Sequence, residues 1–397
     1  MRVAKSKLMI FVFLLIVLLT YSFPLSSVFR MLCIMSFGGY IILSNLSVKI
    51  NVKNMYMYSL LLFIVWGGAS YIWAAYSVGV SDQLFNMISA IIVNITITIY
   101  IIKSKESLEE IYSWLMPALL IYLIQSIIIG GFGSQGRFSI TGSVNQYGIT
   151  ISYIFLLSLY AFKNQKYNKV ISSILVVLSA TMSLLTGSRK TLVNLVIFVC
   201  MIYLFSNYDK SVIKNIGRVL VIAFIGIIAL LLVLKVDFLY QYIGNRIETL
   251  ISFYQGDVNQ DLSALRREYM KDDAINLFLK NPLLGVGLNN FKYITRYDTY
   301  AHSNYYEMLS CLGIIGTMLY YIPVLIISVL SFNQWKRNEK NAVVPLAIMI
   351  SFVINEFSNV SYMYRNIHVF LGLTAGIIFA AEERYRKSIK SENTSLD

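Results

Sequence analysis

The sequence predicts an all-α integral membrane protein with about twelve transmembrane helices and one large extracytoplasmic loop that itself contains helices. Three observations carry that expectation. Apolar runs of roughly 17–25 residues recur along the chain, the length a helix needs to cross the hydrocarbon of a bilayer. Of the 397 residues, 57% are apolar and 13% are charged, whereas a soluble domain carries about 25% charged residues. Basic residues, finally, collect in alternate connecting segments. Five prolines and the lack of an alternating strand pattern argue against a membrane β-barrel.

In chain order the runs lie near 8–23, 28–46, 56–76, 84–102, 111–131, 146–162, 170–187, 190–206, 218–236, 303–332, 343–359 and 364–381. The first follows a basic start, as in a signal peptide. The following Tyr21–Phe29 (YSFPLSSVF) offers no small-x-small cleavage site, so the run reads as a membrane helix. With the N-terminus placed in the cytoplasm, the inner segments hold Arg2, Lys5, Lys7, Lys49, Lys53, Lys103, Lys105, Lys163, Lys166, Lys169, Lys210, Lys214 and Arg218. They also hold Lys336, Arg337, Lys340, Arg384, Arg386, Lys387 and Lys390, making twenty of the 33 basic residues. The short outer loops hold Arg30, Arg137, Arg189, Lys190 and Arg365. This is the positive-inside bias. Most of the +13 net charge therefore orients the chain in a membrane, and nucleic acid is not expected as a partner. Both termini are expected in the cytoplasm. The chain divides on this reading into 1–236 with nine membrane helices, an outer loop at 237–302, and 303–397 with three more helices and a cytoplasmic tail.

Cys33, Cys200 and Cys311 lie far apart, in or beside apolar runs, without C-x-x-C or Cys/His spacing. Neither a disulfide framework nor a zinc site is expected, and each reads as a small buried hydrophobe.

Basic residues in outer loops run against the charge bias and call for another explanation. The loop Gly130–Gly148 (GGFGSQGRFSITGSVNQYG) is rich in hydroxyl and amide groups and carries Arg137 and Asn145. It reads equally as a re-entry turn between two spans. Thr186–Thr191 (TGSRKT) sets Arg189 and Lys190 at the outer boundary, at the start of a helix. Long basic side chains reach headgroups from such places. Alternatively, guanidinium forks beside a helix N-terminus suit phosphate.

The large loop begins with the amphipathic Tyr240–Gly256, containing Arg246. A clearer helix follows, capped by Asp261 or Ser263 and stopped by Asn281-Pro282, with Leu262, Met270, Leu277 and Phe278 on its greasy face. Arg266 and Arg267 open it at the end where the helix dipole disfavours cations, which points to an anion docking there. Glu268 and Asp272 also allow a plain solvated face. His302 stands where the loop returns to the membrane. Imidazole suits proton transfer near neutrality, and a boundary histidine also serves as a structural hydrogen-bonder. Glu307, about one and a half turns on, can orient it or cap a polar cluster. Arg365 and His368, near the outer end of the last span, are candidates to line the same cavity.

Four pieces in this order resemble the O-antigen polymerase and ligase superfamily of bacterial envelope glycan assembly, over roughly 137–330. They are Arg137 with the G-x-x-N-Q of Gly142–Gln146; Ser188-Arg189; and Arg266-Arg267 leading to Asn281-Pro282-Leu283-Leu284-Gly285-Val286-Gly287 and Asn290-Phe291. The last is His302 through Leu309, running into Leu312-Gly313-Ile314-Ile315-Gly316. The resemblance implies metal-free glycosyl transfer outside the cytoplasmic (inner) membrane, with no cofactor. The donor is a glycan on undecaprenyl pyrophosphate, and the acceptor is a hydroxyl of another lipid-linked sugar. It implies Arg189 and Arg267 on the pyrophosphate and His302 as general base. Arg137, Asn145, Arg266, Tyr305, Glu307 and Arg365 are expected to bind substrate. Lys271 stands where the family often has tryptophan, which leaves the choice between Arg266 and Arg267 open; His302-Ser303 stands where many members have His-Asn.

The chemistry agrees with the residues. A sugar hydroxyl needs a base, a pyrophosphate leaving group needs neutralisation by arginines, and Tyr293, Tyr297, Tyr300, Tyr305 and Tyr306 suit sugar stacking or an interfacial belt. No Asp-x-Asp-like metal motif stands in the outer loops. A polymerase of lipid-linked repeat units is expected, with flippase and chain-length regulator proteins as partners besides membrane lipid. A ligase moving the finished glycan to another acceptor shares the same motifs. A transporter of a lipid-linked sugar is the third reading, disfavoured by the lack of internal repeats and of acidic residues at span centres.

Overall fold

The computed structural model describes residues 2–19, 27–44, 51–133, 136–140, 143–205, 262–339 and 341–394. They are helical apart from one small hairpin, β1 (Gly131–Phe132) and β2 (Phe138–Ser139), antiparallel with Phe132 opposite Phe138. The helices are α1 (Arg2–Leu18), α2 (Ser27–Leu43), α3 (Val52–Ala69), α4 (Ser77–Ser104), α5 (Leu108–Ile129), α6 (Val144–Lys163), α7 (Lys169–Leu185) and α8 (Arg189–Cys200). After the undescribed stretch come α9 (Leu262–Lys280), α10 (Phe291–Ile294), α11 (Asn304–Lys336), α12 (Val343–Glu356) and α13 (Arg365–Thr394).

Each expected span meets a helix except 218–236, which lies outside the described residues with Tyr240–Gly256 and Arg246. Among the described residues, four helices are long and apolar enough to cross a membrane: Val52–Ile72, Ser77–Ser104, Leu108–Ile129 and Asn304–Lys336. Ser6–Leu18, Phe29–Leu43, Lys169–Leu185 and Val343–Glu356 are apolar but shorter. At 1.5 Å per residue, a 17-residue helix covers about 25 Å, less than the roughly 30 Å of a bilayer core. Of the twelve expected spans, four are met by length and composition among the described residues. Large apolar side chains lie exposed along α3 (Leu62, Val65), α7 (Val177), α8 (Val193, Val196) and α11 (Met318, Leu325). Such faces are a liability in water and ordinary against lipid. Cys311 is buried as expected, while Cys33 and Cys200 are half-buried because they stand on helix faces only partly covered by neighbours.

The chain forms two compact units, one of Met1–Leu115 with Ala274–Asp397 and one of Met116–Asp273. In the first, α4 packs along α13 and α3 along α11. Gly372 and Gly376 of α13 form a G-x-x-x-G stripe whose backbone lies against Asn94 and Ile101 of α4. Asn94 gathers a buried polar node there: its carbonyl Oδ1 accepts from Tyr56 Oη at 2.6 Å, and its Nδ2 lies 3.3 Å from His368 Nδ1. His368 is thus a packed core group.

Ion pairs mark one end of this unit: Lys7 with Glu110 (3.6 Å), Lys53 with Glu383 (3.3 Å), and Arg337 and Arg386 with Glu382 (3.1 and 3.3 Å). These segments are the ones the charge bias assigns to the cytoplasm. Partly exposed pairs contribute only about 0–1 kcal/mol each, so they report which helix ends gather together more than they stabilise the fold.

In the second unit α6 is flanked by α7 and α8. Asn194 Nδ2 donates to Ser152 Oγ at 3.0 Å, and the Gly148 backbone lies against Thr191. The Asn168 side chain caps α7 by accepting the N–H groups of Val170 and Ile171.

Candidate functional site

Within the second unit, the buried turn from α7 to α8 sets the start of α8. Gly187 adopts φ 54°, reversing the chain between Thr186 and Ser188. Ser188 is the N-cap residue of α8, yet its side chain makes no capping bond. Its hydroxyl donates instead to Asn145 Oδ1 at 3.1 Å. The same Oδ1 accepts from Arg137 Nη2 at 3.3 Å, and Arg137 Nε donates to the Thr186 carbonyl at 2.9 Å. The guanidinium of the hairpin loop is therefore held on two sides, next to the first turn of α8. Half-buried Arg189 and Lys190 occupy that turn. The fixed Arg137 guanidinium thus lies at the turn that opens a helix bearing Arg189 and Lys190 in its first turn, and a helix N-terminus with such cations favours an anion carrying several oxygens. Gly142 of the G-x-x-N-Q motif lies outside the described residues.

The loop helix expected between 261/263 and 281 is α9, Leu262–Lys280. Asp261 lies outside the described residues, and Ser263 falls inside the helix, so Ser263 is not the cap. Met270 and Ala274 are fully buried, and Arg267 shares their stripe at the helical spacings of three and seven. Arg267 is half-buried, whereas Arg266, a third of a turn round the helix, is exposed.

In the first unit, the motif after α9 is a mounting. The helix α11 is broken at Gly313, with φ 65° and ψ −170°. The break leaves carbonyls without helical partners, and the motif supplies them: Val286 N–H donates to Ser310 at 3.0 Å and Gly287 N–H to Cys311 at 2.8 Å. Ile314 N–H returns a bond to Pro282 at 2.9 Å. A Cβ on Gly313 would stand 2.3 Å from the Leu283 oxygen, and one on Gly285 2.4 Å from the Cys311 carbonyl carbon, so both positions require glycine. Asn290 then bonds Tyr76 in both directions, Oδ1 accepting its N–H at 2.7 Å and Nδ2 donating to its carbonyl at 3.1 Å.

His302 stands just before Ser303, the N-cap of the short piece of α11 that precedes the break. Its backbone sits at φ 55°, and its ring meets Tyr300 edge-on at 4.7 Å. The flanking residues are tied to the α12–α13 connection. Ser303 Oγ donates to the Glu356 carbonyl at 3.2 Å, and Asn304 N–H donates to Asn359 at 2.9 Å. Asn304 Oδ1 accepts the Ser361 N–H at 3.1 Å, while its Nδ2 donates to Tyr321 Oη at 2.9 Å. Tyr321 in turn donates to Glu356 Oε2 at 2.9 Å. Arg365 opens α13 at the end of this connection.

Glu307, expected among the substrate-binding groups, is fully buried; its Oε2 accepts the Ala301 N–H at 2.8 Å and its Oε1 the Cys311 thiol at 3.4 Å. Tyr305 stacks on Tyr321 at 4.9 Å and leans on Phe357 at 4.7 Å, with its hydroxyl on the Val353 carbonyl. Tyr297 stacks on Phe291. Tyr293 donates to the Asp82 carboxylate, and that bond raises its pKa above the usual phenol value. Much of the expected sugar-stacking set is thus engaged in packing. Asn304, Tyr321 and Glu356 were not singled out as site residues from the sequence, since their partners stand 35 and 57 positions away.

Residues 174–321 match the family described as Wzy_C, O-antigen ligase. The matched region includes Ser188-Arg189, Arg266-Arg267, the glycine motif and His302 through Tyr321; Arg137 and Arg365 lie outside it. No curated protein matches the chain.

Proposed function

We propose, from the premise that residues 174–321 carry an O-antigen ligase family domain, that this chain is a membrane glycosyltransferase polymerising undecaprenyl-pyrophosphate-linked repeat units into an envelope polysaccharide. The observation that carries the reading is the start of α8, where Arg137 is pinned by Thr186 and Asn145 at the turn leading into Arg189, and the N-cap Ser188 makes no side-chain capping bond. On this reading Arg137, Asn145 and Arg189 hold the donor pyrophosphate, joined by Arg267 from the buried stripe of α9.

His302 accepts the proton of the acceptor hydroxyl as that oxygen bonds to the anomeric carbon. The bond from that carbon to the pyrophosphate oxygen breaks, and its electron pair leaves on undecaprenyl pyrophosphate. General-base assistance of this kind contributes about 10²–10⁴-fold. The arginines stabilise charge developing on the leaving group, the term that fixed cations supply best in a water-poor site. Tyr305 and Arg365 are assigned to acceptor binding on this reading. The reaction runs without a metal at the outer face of the cytoplasmic membrane, with both termini in the cytoplasm, and flippase and chain-length regulator proteins supply and pace the substrate.

The matched family's own description as a ligase favours a second reading, transfer of a finished glycan to a different acceptor. Purified protein incubated with an undecaprenyl-pyrophosphate-linked repeat unit, with and without chelator, separates the two. A product ladder on a gel supports the polymerase. A single transfer to an added lipid acceptor, with no ladder from repeat units alone, moves the assignment to the ligase. Movement of intact substrate across vesicles without bond formation overturns both.

A further inference from the structure

The backbone at His302 is held from both sides, and Glu307 supplies one of them. A carboxylate buried away from water is costly unless hydrogen bonds satisfy its oxygens. Here the two oxygens receive the Ala301 N–H at 2.8 Å and the Cys311 thiol at 3.4 Å. Cys311 is itself fixed, because its sulfur accepts the Phe291 N–H at 3.4 Å and its carbonyl accepts the Gly287 N–H at 2.8 Å. Glu307 therefore links the residue preceding His302 to the rigid break in α11. On the other side, Ser303 and Asn304 are tied to the α12–α13 connection. Between these anchors His302 keeps φ 55°, a left-handed conformation that a non-glycine residue seldom holds unless its surroundings impose it.

We propose that Glu307 is a positioning residue for His302: by holding the Ala301 amide it maintains the left-handed backbone that aims the imidazole at the acceptor hydroxyl. The proposal rests on the reading of His302 as the base. Glu307 exchanges no proton with substrate, since it is fully enclosed. Its requirement is for an acceptor oxygen of the right reach, not for charge. Glutamine meets that requirement and can turn its amide towards the Cys311 sulfur; aspartate, one methylene shorter, does not reach.

The test uses the full chain in lipid nanodiscs, with two readouts: polymer formation from an undecaprenyl-pyrophosphate-linked repeat unit, and hydrogen exchange at the Ala301 amide. Glu307→Ala is expected to lower kcat by about 10²-fold with little change in donor KM, and to accelerate exchange at Ala301. Glu307→Gln is expected to stay within about tenfold of wild type with the amide still protected. Should the alanine variant fail to insert, Glu307→Asp carries the same expectation as alanine. Full activity with an unprotected amide overturns the proposal. So does an inactive glutamine variant whose Ala301 amide remains protected, because that outcome makes the charge the operative property. His302→Ala is run alongside. If it retains full turnover the base assignment fails and the proposal falls with it, whereas an inactive His302→Ala with a fully active Glu307→Ala removes Glu307 alone.

Discussion

The backbone N–H of Gly287 donates to the carbonyl of Cys311 at 2.8 Å, which seats the glycine motif after α9 in the break of α11. A membrane helix ordinarily satisfies its own backbone; here the connection between two helices does so for the carbonyls at the break. The motif that carries the family resemblance is thus the mounting of the site.

Gly313→Ala tests that mounting. The new Cβ meets the Leu283 oxygen at 2.3 Å in a backbone conformation with φ 65°. A loss of about 2 kcal/mol or more is expected from strain and clash together. Thermal denaturation in detergent should show a clear fall in Tm, while Gly131→Ala, with open space around its Cβ, should leave Tm unchanged.

Asn290→Ala removes both bonds to Tyr76 and leaves the Tyr76 backbone N–H at the α3–α4 turn without the Asn290 acceptor, while the Tyr76 carbonyl keeps the Gly79 N–H at 3.1 Å. Loss of these part-buried bonds costs about 1 kcal/mol. A chemical-denaturation midpoint equal to wild type would refute the structural role assigned to this residue.

Arg137→Lys keeps the charge and loses the fork that reaches Thr186 and Asn145 together. Turnover with the pyrophosphate-linked donor is expected to drop by about 10²-fold, and Arg189→Ala by about 10²–10³-fold, as when one charge-stabilising donor is removed. Wild-type rates in the lysine variant would show that the guanidinium geometry is idle.

Arg267 lies on the buried stripe of α9 and Arg266 on its exposed side. Arg267→Ala should therefore impair turnover at least tenfold more than Arg266→Ala. Equal effects, compared at one salt concentration, would remove the distinction.

Single cysteines introduced at Gly133 and at Arg386 report the orientation. A membrane-impermeant maleimide added to intact cells should label the first and spare the second. The reverse pattern would invert the topology drawn from the charge bias.

Much of the helical layout was legible because its causes are local. Asn281-Pro282 ends α9 where a proline must, and the greasy stripe through Met270 and Leu277 follows from a period of 3.6. Arg137 and Asn145 were both read from one polar loop, and they meet in a hydrogen bond. The number of spans was less legible, since an apolar run does not reveal how much of it a helix uses. Among the described residues four helices are both long and apolar enough to cross, and α1, α2, α7 and α12 are apolar but shorter.

The arrangement around His302 lay beyond sequence patterns for a different reason. Asn290 finds Tyr76 across 214 positions, Asn304 finds Ser361 across 57, and Tyr321 finds Glu356 across 35. Hydropathy and charge act residue by residue or over one helical turn, so composition and spacing alone lead to an all-α chain, its helices and its candidate cations. Pairing of desolvated polar groups depends on which helices lie side by side, and no local period encodes that. Tertiary packing therefore decided that Glu307 holds the Ala301 backbone inside the protein and that Arg137 is fixed at the start of α8.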